Sequence, residues 1–287
     1  MLAIVAGSAA HEVLADLGVT AERLAPVETP FGPSSPLAPG EVGGIPALIL
    51  ARHGAGQYDL AAPFVNFRAN LYALKERSVT EVIAWSGPGA IDEALRIGQY
   101  VLPDDVLDET HGRADTFFAG TGLGVIRQSP VFCPRLTGAL AGACEAEGVT
   151  WQQGGTYVCT QGPRLETPAE IRKYRMLGGD VVGMTLCPEV FLARELEICY
   201  AAILYVTNYA EGLRPAEAQP ARLFGGLMSP EEERAQQQAV RALPALLGRA
   251  ATLLGTLPES CTCQRSMERY RKSGRVGDDW RRWMKSV

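Results

Sequence analysis

Between Gly155 and Glu189 the chain reads GTYVCTQGPRLETPAEIRKYRMLGGDVVGMTLCPE, two loops able to face a small polar ligand with one short helix between them. The β-rich run Thr156 to Thr160 ends at Gln161-Gly162-Pro163, where a Gly-Pro pair stops a strand and forces a turn. Thr167, Pro168 and Glu170 then have the order of a helix start: a hydroxyl N-cap, proline at the first helical position, and a glutamate placed to close a capping box. Glu166 falls just outside that cap, which leaves its carboxylate for other work. The helix is expected to stop at Gly178-Gly179; a short apolar strand follows, and Met184-Thr185-Leu186-Cys187 leads to a second Pro-Glu helix start at Pro188. Strand ends and helix starts alternate here, and in open α/β sheets such edges are where ligands bind.

At these residues the chain resembles a known family. GPRLETPAEIR followed by GGDVVGMTLCPEV is similar to the core of the trimeric nucleoside phosphorylases, which include purine nucleoside phosphorylase and methylthioadenosine phosphorylase. Ala51-Arg52-His53-Gly54, Val65 to Asn70 and Thr207-Asn208-Tyr209 extend the similarity in order over roughly residues 1 to 255. The resemblance implies a phosphate site built from backbone N–H groups, hydroxyls and an arginine fork. Its members here are Ser8 after the first strand, Arg52 and His53, Ser86 and Gly87, and Thr185. Ala6 and Ala9 stand where the family's loop has flanking glycines, and Trp85 and Pro88 depart from its pattern around Ser86-Gly87. Inorganic phosphate is the implied co-substrate, with no other cofactor and no metal.

The resemblance further implies a nucleoside site formed by Leu165, Glu166, Met184, Asn208 and Ala210, with Met184 beneath the ribose. A 6-oxopurine offers N1–H as a donor and O6 and N7 as acceptors, so a selective site wants a carboxylate opposite N1 and an amide opposite N7/O6. Glu166 and Asn208 supply both and are the candidate catalytic residues; the adenine-directed branch has aspartates at positions 208 and 210 instead. The expected activity is phosphorolysis of inosine- or guanosine-type nucleosides. The region of Met228 to Glu232 has no histidine to meet a 5′-hydroxyl, so 5′-methylthioinosine or methylthioadenosine is the alternative substrate. A purine-binding protein with a degenerate phosphate site is the alternative from another class. A homotrimer is expected, with Gly122 to Pro134 of a neighbour completing the site through Val125 and Phe132.

The elements that must position these residues follow from hydrophobic patterning. Apolar β-rich runs recur at Leu2 to Val5, Ala47 to Leu50, Val82 to Trp85, Tyr100 to Leu102, Val181 to Met184 and Ala202 to Val206. Helical patterns lie between several of them: Phe67 to Lys75, Arg135 to Glu147, Pro168 to Leu177 and Pro188 to Leu196. This alternation predicts a single-domain α/β sandwich with a central mixed sheet flanked by helices. Pro215 to Pro230 reads as a loop, and Pro230 to Leu257 as a long helix with apolar Val240, Leu243, Leu246, Leu247, Ala250 and Leu254.

With 287 residues, 47% hydrophobic and 21% charged, the chain can bury a full core. It has no apolar run long enough to span a bilayer, and MLAIVAGSAAHEV reads as a first buried strand rather than a signal peptide. Seven cysteines scattered through apolar segments suggest reduced thiols in a cytoplasmic protein. Residues 1–258 are assigned to the phosphorylase-like domain and 259–287 to a basic tail that carries Cys261-Thr262-Cys263. No second Cys/His pair is evident beside that C-x-C, so no metal site is expected. Eight Lys/Arg against three acids from Gln264 onward give +5, leaving about −10 on the rest of a chain whose net charge is −5. Arg281, Arg282 and Trp280 could meet RNA or an acidic partner, but the segment is read as a solvated or docking tail, without nucleic acid as a partner.

Overall fold

The structure, a computed structural model, describes residues 1–56, 58–214, 228–258 and 260–284. Strand β1 (Leu2–Ala6) is buried along its whole length because both of its faces are covered: Ala3 and Val5 enter one core, while Leu2, Ile4 and Ala6 enter another. Helix α1 (Ala10–Val13) follows, then a hairpin of β2 (Glu28–Thr29) and β3 (Gly32–Pro33), β4 (Leu37–Val42) and β5 (Ile45–Ala51). Helix α2 (Phe67–Glu76) precedes β6 (Glu81–Ser86), β7 (Gly89–Ala90), β8 (Tyr100–Leu102) and β9 (Asp105–Glu109). Next come α3 (Pro134–Ala146), β10 (Trp151–Gln153), β11 (Thr156–Thr160), α4 (Pro168–Met176), β12 (Val181–Gly183) and α5 (Glu189–Glu195). Strands β13 (Cys199–Tyr205) and β14 (Asn208–Tyr209), the long α6 (Pro230–Leu254) and α7 (Glu268–Lys272) complete the described chain.

Two mixed sheets carry the molecule. The seven-stranded sheet has the order β10-β8-β13-β6-β1-β5-β4, with β13, β6, β1 and β5 mutually parallel and β4 antiparallel at one edge. The five-stranded sheet has the order β14-β7-β12-β11-β9, in which β7 and β12 pair antiparallel. One face of the larger sheet packs with α2 and α5, the other with α1, α3 and α6. A smaller core of Ile91, Val158, Ile171, Tyr174 and Val182 sits under α4. The expected single-domain α/β sandwich with mixed sheets and flanking helices is what the chain forms. No helix among the described residues is long and apolar enough to cross a membrane. The loop expected from Pro215 to Pro230 lies outside the described residues as far as 227, and Pro230 opens α6.

The segment after residue 260 folds back onto its own domain. Met267, Tyr270 and Trp283 are buried in the core shared with α2 and α5. Arg271 Nη1 donates to Glu197 Oε1 at 3.0 Å, and Arg281 Nε donates to Glu76 Oε1 at 3.2 Å. The basic residues thus dock against acids of the same chain. The expectation that Cys261 and Cys263 stand without further ligands is corrected, because Cys133 and Cys199 bring their sulfurs to within 4.8 Å of them. These partners lie far away in sequence, where spacing gives no hint of them.

Candidate active site

Because β1, β5, β6 and β13 run parallel, the loops after them open along one edge of the sheet, and a cleft of about 440 Å³ lies there. Ser8, Ser86, Gly87 and Thr185 line it, as do Leu165, Glu166, Met184, Asn208 and Ala210. Of the residues predicted for the site, Arg52 and His53 do not reach its surface.

At the hydroxyl-rich end, Ser86 Oγ lies 3.2 Å from Thr185 Oγ1 and 3.4 Å from the buried Tyr157 hydroxyl. The Ser8 carbonyl accepts from Trp85 Nε1 at 3.0 Å and from the Tyr205 hydroxyl at 3.1 Å. Trp85, unusual by family pattern, therefore braces the loop that bears Ser8. Gly7 is obligatory, since a Cβ there would come 2.2 Å from the Trp85 carbonyl oxygen. Ala9, which replaces a family glycine, is held left-handed at φ 62°, a conformation that costs a residue with a Cβ roughly 1–2 kcal/mol.

Arg52, expected as a phosphate ligand, is not part of the cleft lining. Its guanidinium is fully buried: Nε donates to Glu189 Oε2 at 2.9 Å, Nη2 to Glu189 Oε1 at 2.6 Å, and Nη1 to the Trp85 carbonyl at 3.2 Å. Burial alone disfavours the charge, but the Glu189 carboxylate outweighs it and raises the Arg52 pKa. Glu189 also accepts from the Tyr200 hydroxyl at 2.6 Å. His53 is likewise not part of the lining. Its Nδ1 donates to the Leu60 carbonyl at 2.8 Å, and its ring stacks on Tyr58 with centroids 4.3 Å apart. Burial, reinforced by the Arg52 charge, pushes its pKa down to about 4, so the ring is neutral at pH 7.

Glu166, also in the cleft lining, is less free than the cap argument suggests, because Thr160 Oγ1 donates to its Oε1 at 2.5 Å. One carboxylate oxygen remains for a ligand. Glu166 also borders a second cavity of about 330 Å³, lined by polar groups that include Arg164, Glu109 and Lys173. The Asn208 amide is oriented by its neighbours: Nδ2 donates to the Tyr209 carbonyl at 2.9 Å, and Oδ1 accepts from Thr207 Oγ1 at 2.7 Å. The second N–H of that amide is left to meet an acceptor. Met184 packs against Gly162, where a Cβ would fall 2.5 Å from its sulfur.

Several site residues escape sequence reading. Arg113 donates from Nη1 to the carbonyls of Met184 (2.8 Å) and Cys187 (2.6 Å), from Nη2 to those of Thr160 (3.1 Å) and Gln161 (2.8 Å), and from Nε to Gln161 Oε1 (3.2 Å). All the donors of one guanidinium thus tie together the two loops that bear Glu166 and Thr185. His11 from α1 and Gln236 from α6 also line the cleft. The helical phase of α6 was a usable signal for Gln236; the irregular segment around Arg113 offered none. The segment Gly122 to Pro134 is divided in its behaviour: Val125 is 71% exposed, but Phe132 is buried in its own chain against Tyr200, which corrects its expected role as an intersubunit wall.

Residues 2–250 match the sequence profile of the Phosphorylase superfamily. The chain belongs to this family. It is 42% identical over 219 residues to the 6-oxopurine nucleoside phosphorylase of Pyrococcus furiosus, which covers 74% of this chain and 80% of that relative. It is 41% identical over 224 residues to a probable S-methyl-5′-thioinosine phosphorylase of Methanothermobacter thermautotrophicus, covering 78% of this chain and 77% of the relative. Among solved structures, a methylthioadenosine phosphorylase from an antarctic soil metagenomic library superposes with a TM-score of 0.79 at 28% identity, covering 92% of this chain and 90% of that one. Phosphorylase-superfamily membership fits the cleft's position at the ends of parallel strands.

Proposed function

We propose that this chain catalyses phosphorolysis of 6-oxopurine nucleosides of the inosine and guanosine type, releasing the free base and ribose 1-phosphate for purine salvage. The observation that carries this reading is that Glu166 and Asn208 line the same cleft as Ser8, Ser86 and Thr185. The available oxygen of Glu166 accepts from purine N1–H, and the remaining Asn208 N–H meets N7 as that atom gains basicity. As the glycosidic bond stretches, the ribosyl group becomes cationic, and inorganic phosphate, held by the hydroxyls and the Gly87 backbone, attacks from the opposite face. No covalent enzyme intermediate and no further cofactor are required; rate comes from positioning and electrostatic stabilisation. In this reading Arg52 and His53 support the phosphate loop from beneath.

The assembly is a cytoplasmic homotrimer in this proposal, in keeping with seven cysteines that form no disulfide and with the exposed Val125 as an apolar element for a neighbour's cleft. That exposed valine favours 5′-methylthioinosine as a second substrate, whereas His11 and Gln236 offer polar partners for a 5′-hydroxyl. Steady-state assays with phosphate and inosine, guanosine, 5′-methylthioinosine and adenosine test the reading. Adenosine should be poorer by on the order of 2–4 kcal/mol in kcat/KM, because Glu166 would face an acceptor at N1. Comparable efficiency on adenosine would overturn the base assignment. Purine binding without phosphate-dependent release of hypoxanthine would favour a non-catalytic binder.

A further inference from the structure

Away from the cleft, four cysteine sulfurs meet at one point. Cys133 caps the N-terminus of α3, Cys199 opens β13, and Cys261 and Cys263 flank a single residue just before the last part of the chain. All four Sγ atoms lie within 4.8 Å of one another, and Cys199 Sγ is 3.4 Å from Cys261 Sγ. Cys133, Cys199 and Cys263 are buried and Cys261 is partly exposed, so the cluster is shielded but reachable from solvent. We propose that Cys133, Cys199, Cys261 and Cys263 form a structural tetrathiolate site for Zn²⁺.

Geometry and charge both argue for a metal. Tetrahedral zinc with Zn–S bonds of about 2.3 Å sets its sulfurs roughly 3.8 Å apart, which is the scale of this cluster. The backbone around the sulfurs is fixed by bonds that do not involve them. The Cys133 N–H donates to the Tyr200 carbonyl at 2.8 Å and the Cys199 N–H to the Thr80 carbonyl at 2.9 Å. Thiols this close cannot all ionise together unless a cation sits among them. On binding, four Zn–S bonds form, four S–H protons leave to solvent, and no electrons are transferred. The dianionic centre would lie beside the start of α3, where Arg135 keeps a buried Nε–H without a hydrogen-bond partner. Arg135 also pairs with Glu81 and donates to the Leu254 carbonyl at 2.9 Å.

Such a centre would fasten the returning C-terminal segment to the edge of α3 and the start of β13. The test is elemental analysis of full-length protein purified under reductant with Zn²⁺ supplied and then dialysed. About one zinc per chain is expected, released by a mercurial that titrates thiols. The double variant C261S/C263S should retain less than roughly a tenth of that zinc, and Cys144→Ser, outside the cluster, should retain all of it. The double variant should melt at lower temperature while kcat/KM on inosine at moderate temperature stays within about twofold, since none of these residues touches the cleft. Should the double variant fail to fold, cobalt-substituted wild-type protein still decides the matter by showing or lacking the visible bands of a tetrahedral tetrathiolate. Reduced wild-type protein that keeps neither zinc nor cobalt, or one whose four cysteines are found joined as disulfides after purification with zinc and reductant, would overturn the proposal.

Discussion

A guanidinium with no exposed surface is tolerable beside a carboxylate and costly without one, so Arg52 depends on Glu189, and the pair holds the Trp85 carbonyl from within the core. His53 shares that buried layer, and its depressed pKa has a measurable consequence. The folded protein holds the ring neutral down to about pH 4, whereas an unfolded chain protonates it near 6.5. Stability from this residue is therefore present above pH 6.5 and is lost as the pH falls toward 4, by on the order of 3 kcal/mol. Urea unfolding of wild type and His53→Asn at pH 6.5 and 4.5 should show a smaller acid loss in the variant. Glu195 works the other way, since burial pushes its pKa up to about 7, but it is common to both proteins and cancels in the comparison. At this scale Glu166 and Asn208 were legible as cleft residues because they sit in short motifs of distinctive chemistry. Glu189 was not, because its partner lies 137 positions away and nothing local marks a carboxylate as buried.

Among elements, the long buried strands announced themselves and the shortest or edge strands did not. Strands β1, β5, β6 and β13 are continuous apolar runs, as both faces are covered. Of the strands that sequence patterning missed, β4, β9 and β10 sit at sheet edges, where Pro39 and Gly40 are tolerated in β4 and acids face solvent in β9, while β2, β3, β7 and β14 are two residues long and too short to show a period. The capping box of Thr167 and Glu170 forms as its spacing predicts, because it is a contract between neighbouring residues. Arg113 joins loops that are remote in sequence, which is why only the folded chain reveals it. Replacing its planar fork with a point charge in Arg113→Lys should leave the fold intact but loosen the Thr160–Gly162 and Met184–Cys187 loops. Misplacement of about 1 Å is enough to cost up to roughly 100-fold in kcat, read by single-turnover assays with inosine. An unchanged rate would show that the two loops are held by their own turns.

For the molecule as a whole, the exposed Val125 is the residue by which assembly can be read. If a neighbour's cleft receives it, Val125→Asp should shift light scattering from trimer to monomer and lower the efficiency on 5′-methylthioinosine more than on inosine; an active wild-type monomer would remove the shared site altogether. Its strap is fastened from within the same chain, where the Val125 N–H donates to the Tyr270 hydroxyl at 3.0 Å. The C-terminal segment, read in sequence as a basic tail with a C-x-C pair, thus reaches the loop that bears Val125 through an aromatic that patterning could not place. A last consequence concerns Glu166, which borders both the cleft and the polar cavity behind it. It acts as a partition wall between two rooms. Removing it in Glu166→Ala would do more than erase base preference: it would open a passage into which an enlarged heterocycle can extend, so that bulky N1- or O6-substituted purine nucleosides refused by the native protein become substrates for the variant in the same phosphate-dependent assay.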